Sequence, residues 1–201
     1  MPLKLITAPP VLPVTVAEAK RAIRAEEFDD DDTYIEALIR VATDYLDGPN
    51  GILQRALVQQ TWDLYLDSFP SNEIRIPLSP LREVVHIKYD DDNGDEQTVS
   101  TADYTVDTIR QPGWVLPSQE ASWPTTFNGV NAVRVRFTAG YEPSSDSPSD
   151  LTAGVPPQIK QWILLNVGLH YAQREPIAVG TVAANLSWIA DALIERLKVY
   201  V

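Results

Sequence analysis

Two histidines, 28 carboxylates and five tryptophans are the side chains with which this 201-residue chain could do chemistry, and it contains no cysteine. His86 falls on a predicted strand and His170 in a predicted helix, and neither has a second His or a Cys at metal-ligand spacing. Both read as packing or surface residues. The acidic run Asp90–Glu96 invites a calcium reading. With Gly94 set on the loop glycine, Tyr89 falls at the first ligand position and Ser100 at the twelfth, where carboxylates are required. The run reads instead as a solvated hairpin tip. Asp63 and Asp67 could pair for acid/base work, but among 28 acids such pairs arise by chance. Trp62, Trp114, Trp123, Trp162 and Trp188 are scattered, and a core or interface role is the default for tryptophan. No Gly-rich phosphate loop, G-x-S-x-G elbow or H-E-x-x-H pair occurs. The expectation is a protein that is not an enzyme and uses no cofactor or metal.

Composition narrows the field further. Without cysteine there are no disulfides or thiolate metal sites, which fits a cytoplasmic product. The opening MPLKLITAPP lacks the basic and apolar regions of a signal peptide. A net charge of −12 argues against a generic nucleic-acid binder, whose affinity comes from clustered Lys and Arg. The charge is −4 over residues 1–60, −9 over 61–155 and +1 over 156–201. The C-terminal segment is therefore the electrostatic exception.

The elements that must position these residues follow from periodicity. Residues 1–14 are Pro-rich and predict an extended arm. Thr15 and Glu18 form a capping-box pattern for a short helix to about Ala25. Ile35, Leu38, Ile39, Ala42 and Leu46 make the apolar stripe of a second helix, stopped by Gly48-Pro49-Asn50-Gly51. From Leu53 the period changes to that of strands, and about seven short ones are expected, ending with Ala132–Thr138. Asn93-Gly94 predicts a type I′ hairpin joining His86–Asp91 to Gln97–Val99. Residues 142–155 are a Pro/Ser/Asp loop, and a last helix is expected from about Leu186 to Val199.

The whole is organised around Pro156–Arg174. Prolines open this helix, where a missing N–H costs nothing, and at roughly 1.5 Å per residue it runs about 27 Å. Ile159, Trp162, Ile163 and Asn166 mark one face while Leu164, Leu165 and Leu169 point elsewhere. It is too interrupted to span a membrane, yet it carries more apolar surface than one small lobe covers. Neighbouring copies are expected to finish the burial. The expected fold is α+β: a core of about four helices drawn from both chain ends (1–52 and 142–201), with an antiparallel β lobe inserted at 53–141. Trp162, Leu164, Leu165 and Leu169, with Leu38 and Ile39, form the expected subunit interface.

Several segments taken in order, LITAPPVLPVTVAEAKRAIR, ALVQQTWDLYLDSFP, IRIPLSPLREVVHIKY, ADYTVDT, VRVRFTAGY and VPPQIKQWILLNVGLHYAQRE, resemble the head–tail connector (adaptor) proteins of tailed bacteriophages. The gp6-like and phiE125 gp8-like group is meant, with relatives in phage-derived gene transfer agents. The resemblance covers nearly the whole chain and carries no catalytic signature. It implies a homo-oligomeric ring, twelve-fold in the particle neck, assembled in the bacterial cytoplasm. The ring would sit beneath the portal protein, extend the DNA channel, and offer its far face to a tail-side stopper or tail terminator protein. DNA would pass without specific binding, and no membrane is involved. A carboxylate-lined lumen repels phosphate, which points to Glu26, Glu27, Asp29, Asp30, Asp31 and Asp32, or to the Asp90–Asp92 hairpin. By the same resemblance Trp188, Ile189, Leu193, Arg196, Leu197 and Lys198 would reach toward the portal. A competing reading makes the β lobe, through Trp114 and Trp123, a binding module for a glycan or a tail protein.

Overall fold

Thr15 starts the first helix as the capping box requires. Its hydroxyl accepts the Glu18 N–H at 3.1 Å, and the Glu18 carboxylate accepts the Thr15 N–H at 2.7 Å. Helix α1 (Val16–Ile23) ends on Arg24, which takes the left-handed conformation at φ 58°. The computed structural model describes residues 2–143, 149–173 and 192–199. Helix α2 (Asp32–Leu46) buries Ile35, Ile39, Ala42 and Leu46, so the predicted stripe is its core face. Helix α3 (Pro157–Ala172) buries Ile159, Trp162, Ile163 and Val167. The three helices touch one another, and they share one apolar cluster with Leu53, Leu57, Val155 and Ile194.

Apart from a 3-10 turn near the C-terminus, the other elements among the described residues are antiparallel strands, which makes the fold α+β. One sheet has the order β1-β2-β8-β4-β5, and a smaller one has β3-β7-β6. The strands are β1 (Leu3–Thr7), β2 (Gln60–Leu66), β3 (Ile74–Ile76), β4 (Leu81–Asp90), β5 (Glu96–Thr98), β6 (Tyr104–Asp107), β7 (Gly113–Pro117) and β8 (Val133–Ala139). A second apolar cluster, built on Leu64, Ile76, Ile87, Val135 and Phe137, fills the space between them.

Two expectations change. Leu3–Thr7, assigned to the arm of the helical core, is an edge strand paired to β2 through Leu3↔Leu64 and Leu5↔Trp62. The prolines at 2, 9 and 10 bound this strand rather than dissolving it, since they lie outside its ladder. The Asn93-Gly94 turn is also not type I′. Only Gly94 has positive φ (85°), and the Asp91 carboxylate accepts the Asn93 and Asp95 N–H groups at 2.9 and 3.1 Å. That side-chain bond holds a wider turn, with Asp91 N–H donating to the Asp95 carbonyl.

Just past the end of β8, Gly140 sits at φ 132° against the backbone of Gln59. A β-carbon there would lie 2.7 Å from backbone atoms, so only glycine fits.

Candidate functional site

The carboxylates that could have done chemistry are occupied by structure. Asp63, almost wholly buried, receives both arms of the Arg136 guanidinium at 2.7 and 2.8 Å. Asp67 accepts the Asn131 N–H at 2.9 Å. His86 is pushed below its ordinary pKa by desolvation and by the neighbouring Arg136 and Lys88 cations. Among the described residues, no three His, Asp or Glu side chains gather as metal ligands.

The tryptophans proposed as a stacking platform are engaged as well. The Arg110 and Arg75 guanidinium carbons lie 4.1 and 5.4 Å from the Trp114 ring centroid. Trp123 stacks on Phe69 at 4.9 Å and donates its indole N–H to the Asn72 carbonyl at 2.7 Å.

The acidic run ahead of α2 is divided. Lys20 reaches from α1 to Asp29 at 2.6 Å and Asp32 at 2.8 Å, and Asp31 accepts the Tyr171 hydroxyl of α3 at 2.7 Å. These contacts knot the three helices together. Glu26, Glu27 and Asp30 are exposed, next to a Phe28 that is 65% exposed. At the hairpin, Asp91 serves the turn and Asp92 accepts the Thr125 hydroxyl.

The expected interface residues separate by helix face. Ile39 has no exposed surface and Trp162 is 5% exposed, so both belong to the subunit's own core. Leu38 and Leu164 are half-buried against that core. Leu165 and Leu169 are 43% and 46% exposed on the opposite flank of α3. Their i, i+4 spacing places them on one stripe. Helix α2 adds Val41 and Tyr45, also i, i+4 and exposed; the sequence reading passed over this pair because it followed only the core stripe. Tyr45 stacks on Trp162 with centroids 5.5 Å apart and planes 6° from parallel. Between the helices lies a groove of about 420 Å³ lined by Leu38, Val41, Ala42, Tyr45, Trp162, Asn166 and His170. The buried Trp162 indole N–H has no partner among the described residues.

Of the residues expected to reach the portal, Trp188 and Ile189 lie outside the described residues. Residues 195–197 form a 3-10 turn. Leu193 and Leu197 rest against the helical cluster, Arg196 is exposed and Lys198 pairs with Glu195. Arg55 fastens this segment by donating to the Leu197 carbonyl, and Val199 N–H donates to the Leu53 carbonyl at 3.0 Å.

No protein-family model and no curated protein matches the chain. Solved structures do. A chain in the neck of an empty gene transfer agent particle, computed with C6 symmetry, superposes with a TM-score of 0.76 at 23% identity. A chain in the virion of the native gene transfer agent particle gives 0.75 at 22%, and one in the native neck computed with C12 symmetry gives 0.68 at 23%. Each match covers 100% of this chain and 97% of the other. From end to end, this chain has the fold of a protein found in the neck of a gene transfer agent particle.

Proposed function

We propose that this chain is a structural neck protein of a tailed phage or phage-like particle, the adaptor that forms a ring beneath the portal. The ring extends the DNA channel and docks tail-side proteins, and the chain catalyses nothing. The observation that carries the reading is the likeness to a neck protein, which extends over 100% of this chain and 97% of the other. The C6 and C12 symmetries of those neck structures favour a ring for this chain too. The helical lobe, drawn from both chain ends, would be the assembling part and the β lobe the projecting one. Its exposed apolar side chains Val41, Tyr45, Leu165 and Leu169 are what a heterologous contact with the next copy would cover. Glu26, Glu27 and Asp30 remain open to line a lumen, and Arg196 with the segment before it would face the portal.

The test is to mix the purified full-length protein with its cognate portal and weigh and image the product. A stoichiometric ring is expected. A protein that stays monomeric and ignores the portal at micromolar concentration overturns the proposal. The binding-module reading loses ground because Trp114 and Trp123 already stack on their own neighbours.

A further inference from the structure

The C-terminal end of α2 is electrostatically inverted. A helix C-terminus carries partial negative charge and favours cations, yet the last turn of α2 has no basic residue. It carries Asp44 instead, and Asp47 is the C-cap. Asp47 accepts the Leu57 N–H at 2.6 Å and the Gln60 amide at 3.0 Å, both neutral donors. Burial pushes its carboxyl above the usual carboxylate range, and nearby Asp44 adds to the rise. Arg40, one turn back on the helix and itself beside this site, pairs with Glu36 at 2.5 Å rather than with either aspartate. Neither Asp44 nor Asp47 has a cation partner among the described residues.

These two carboxylates open into a cavity of about 690 Å³, which Arg40 also lines, between α2, strands β1 and β2 and the Ala8–Leu12 arm. One wall is apolar, made by Leu5, Val11 and Trp62. On the α2 side stands Thr43, 7% exposed, whose hydroxyl has no partner among the described residues. The other buried polar groups are satisfied, since the Trp62 indole donates to Gln60 at 3.0 Å. A metal ion would find too few ligands here.

We infer that this cavity receives an arginine or lysine side chain presented by a partner protein. The aliphatic stem lies along Leu5, Val11 and Trp62, and the charged head meets Asp44 and Asp47 while Thr43 accepts a further N–H. Such a head restores the sign of charge that the end of α2 lacks. The cavity exceeds one side chain, so the flanking residues of the partner segment enter with it. This site is separate from the α2–α3 groove and stands or falls independently of the ring assignment.

Isothermal titration of the full-length protein with the capped tripeptide Leu-Arg-Leu tests the inference, with Leu-citrulline-Leu as the neutral isostere. Saturable binding of the arginine peptide is expected, roughly tenfold or more tighter than the citrulline peptide. Asp44→Asn, at an exposed position that serves no fold contact, and Thr43→Val should each weaken it severalfold, while Asp47→Asn should nearly abolish it. Circular dichroism melts check that the variants fold. Equal binding of both peptides, or none, overturns the proposal. So does binding that appears only in Arg40→Gln, which would make Arg40 itself the occupant.

Discussion

Replacing both Leu165 and Leu169 by alanine separates assembly from folding. The two side chains keep 43% and 46% of their surface exposed in the subunit. Complete burial of a leucine is worth about 1.5–3 kcal/mol, so covering the remainder in a neighbour's contact yields roughly 0.7–1.4 kcal/mol each. Alanine retains part of that, leaving a loss of about 1–2 kcal/mol per interface for the pair, or roughly five- to thirtyfold in association. In a closed ring the loss recurs at every contact, so the concentration at which rings appear should rise steeply. The monomer should melt within a few degrees of the wild type, because the core face of α3 is untouched. Mass photometry across a dilution series reads the first effect and a thermal melt the second. Ile163→Ala, fully buried, serves as the opposite control and should lower stability by about 2–5 kcal/mol. Unchanged ring formation in the double variant, with its fold intact, would refute the assignment of this flank to the subunit contact.

Three further outcomes follow from single contacts. Thr15→Ala removes half of the reciprocal cap on α1 and should cost about 1 kcal/mol in urea unfolding. Arg136→Ala leaves the buried Asp63 without its partner and should cost about 3 kcal/mol, measured the same way, whereas an exposed pair such as Arg40–Glu36 should cost under about 1 kcal/mol. The Lys20 hydrogen bonds to Asp29 and Asp32 raise the lysine pKa, and Lys20 lowers that of Asp29. The Asp29 contribution is therefore present above its ordinary value of 3.8 and is lost as pH falls through its lower folded value. The Lys20 contribution is present below its ordinary 10.5 and is lost as pH rises past its higher folded value. Lys20→Met should flatten both flanks of the stability profile and lower the plateau between them.

The sequence made some of this legible for identifiable reasons. The capping box at Thr15–Glu18 and the stripe Ile35-Ile39-Ala42-Leu46 are local patterns whose outcome depends on few distant residues, and both appear as expected. The division of α3 into a Trp162 face and a Leu165–Leu169 face was readable from spacing. Burial of Trp162 and Ile39 was not, because it depends on which helix meets which face. Leu3–Thr7 misled for a related reason: an edge strand exists only through its partner, and β2 lies about fifty residues away. At Asn93-Gly94 the dipeptide preference lost to the Asp91 carboxylate, a local side-chain bond from just outside the two residues that the rule considers. The inverted charge at the end of α2 was visible as Asp44 and Asp47, but the cavity beside them required the arm to fold over it.

Among the described residues the backbone passes between the helical cluster and the sheets three times, from β1 to α1, from α2 to β2 and from β8 to α3. A lobe joined by one strap can swivel, whereas three separated struts behave as a tripod. The Arg55 clamp on the Leu197 carbonyl adds a brace beside one of them. Turning the helices against the sheets would have to strain all three crossings at once, so hinge motion between them is expected to be restricted, and hydrogen exchange at the crossings would read it.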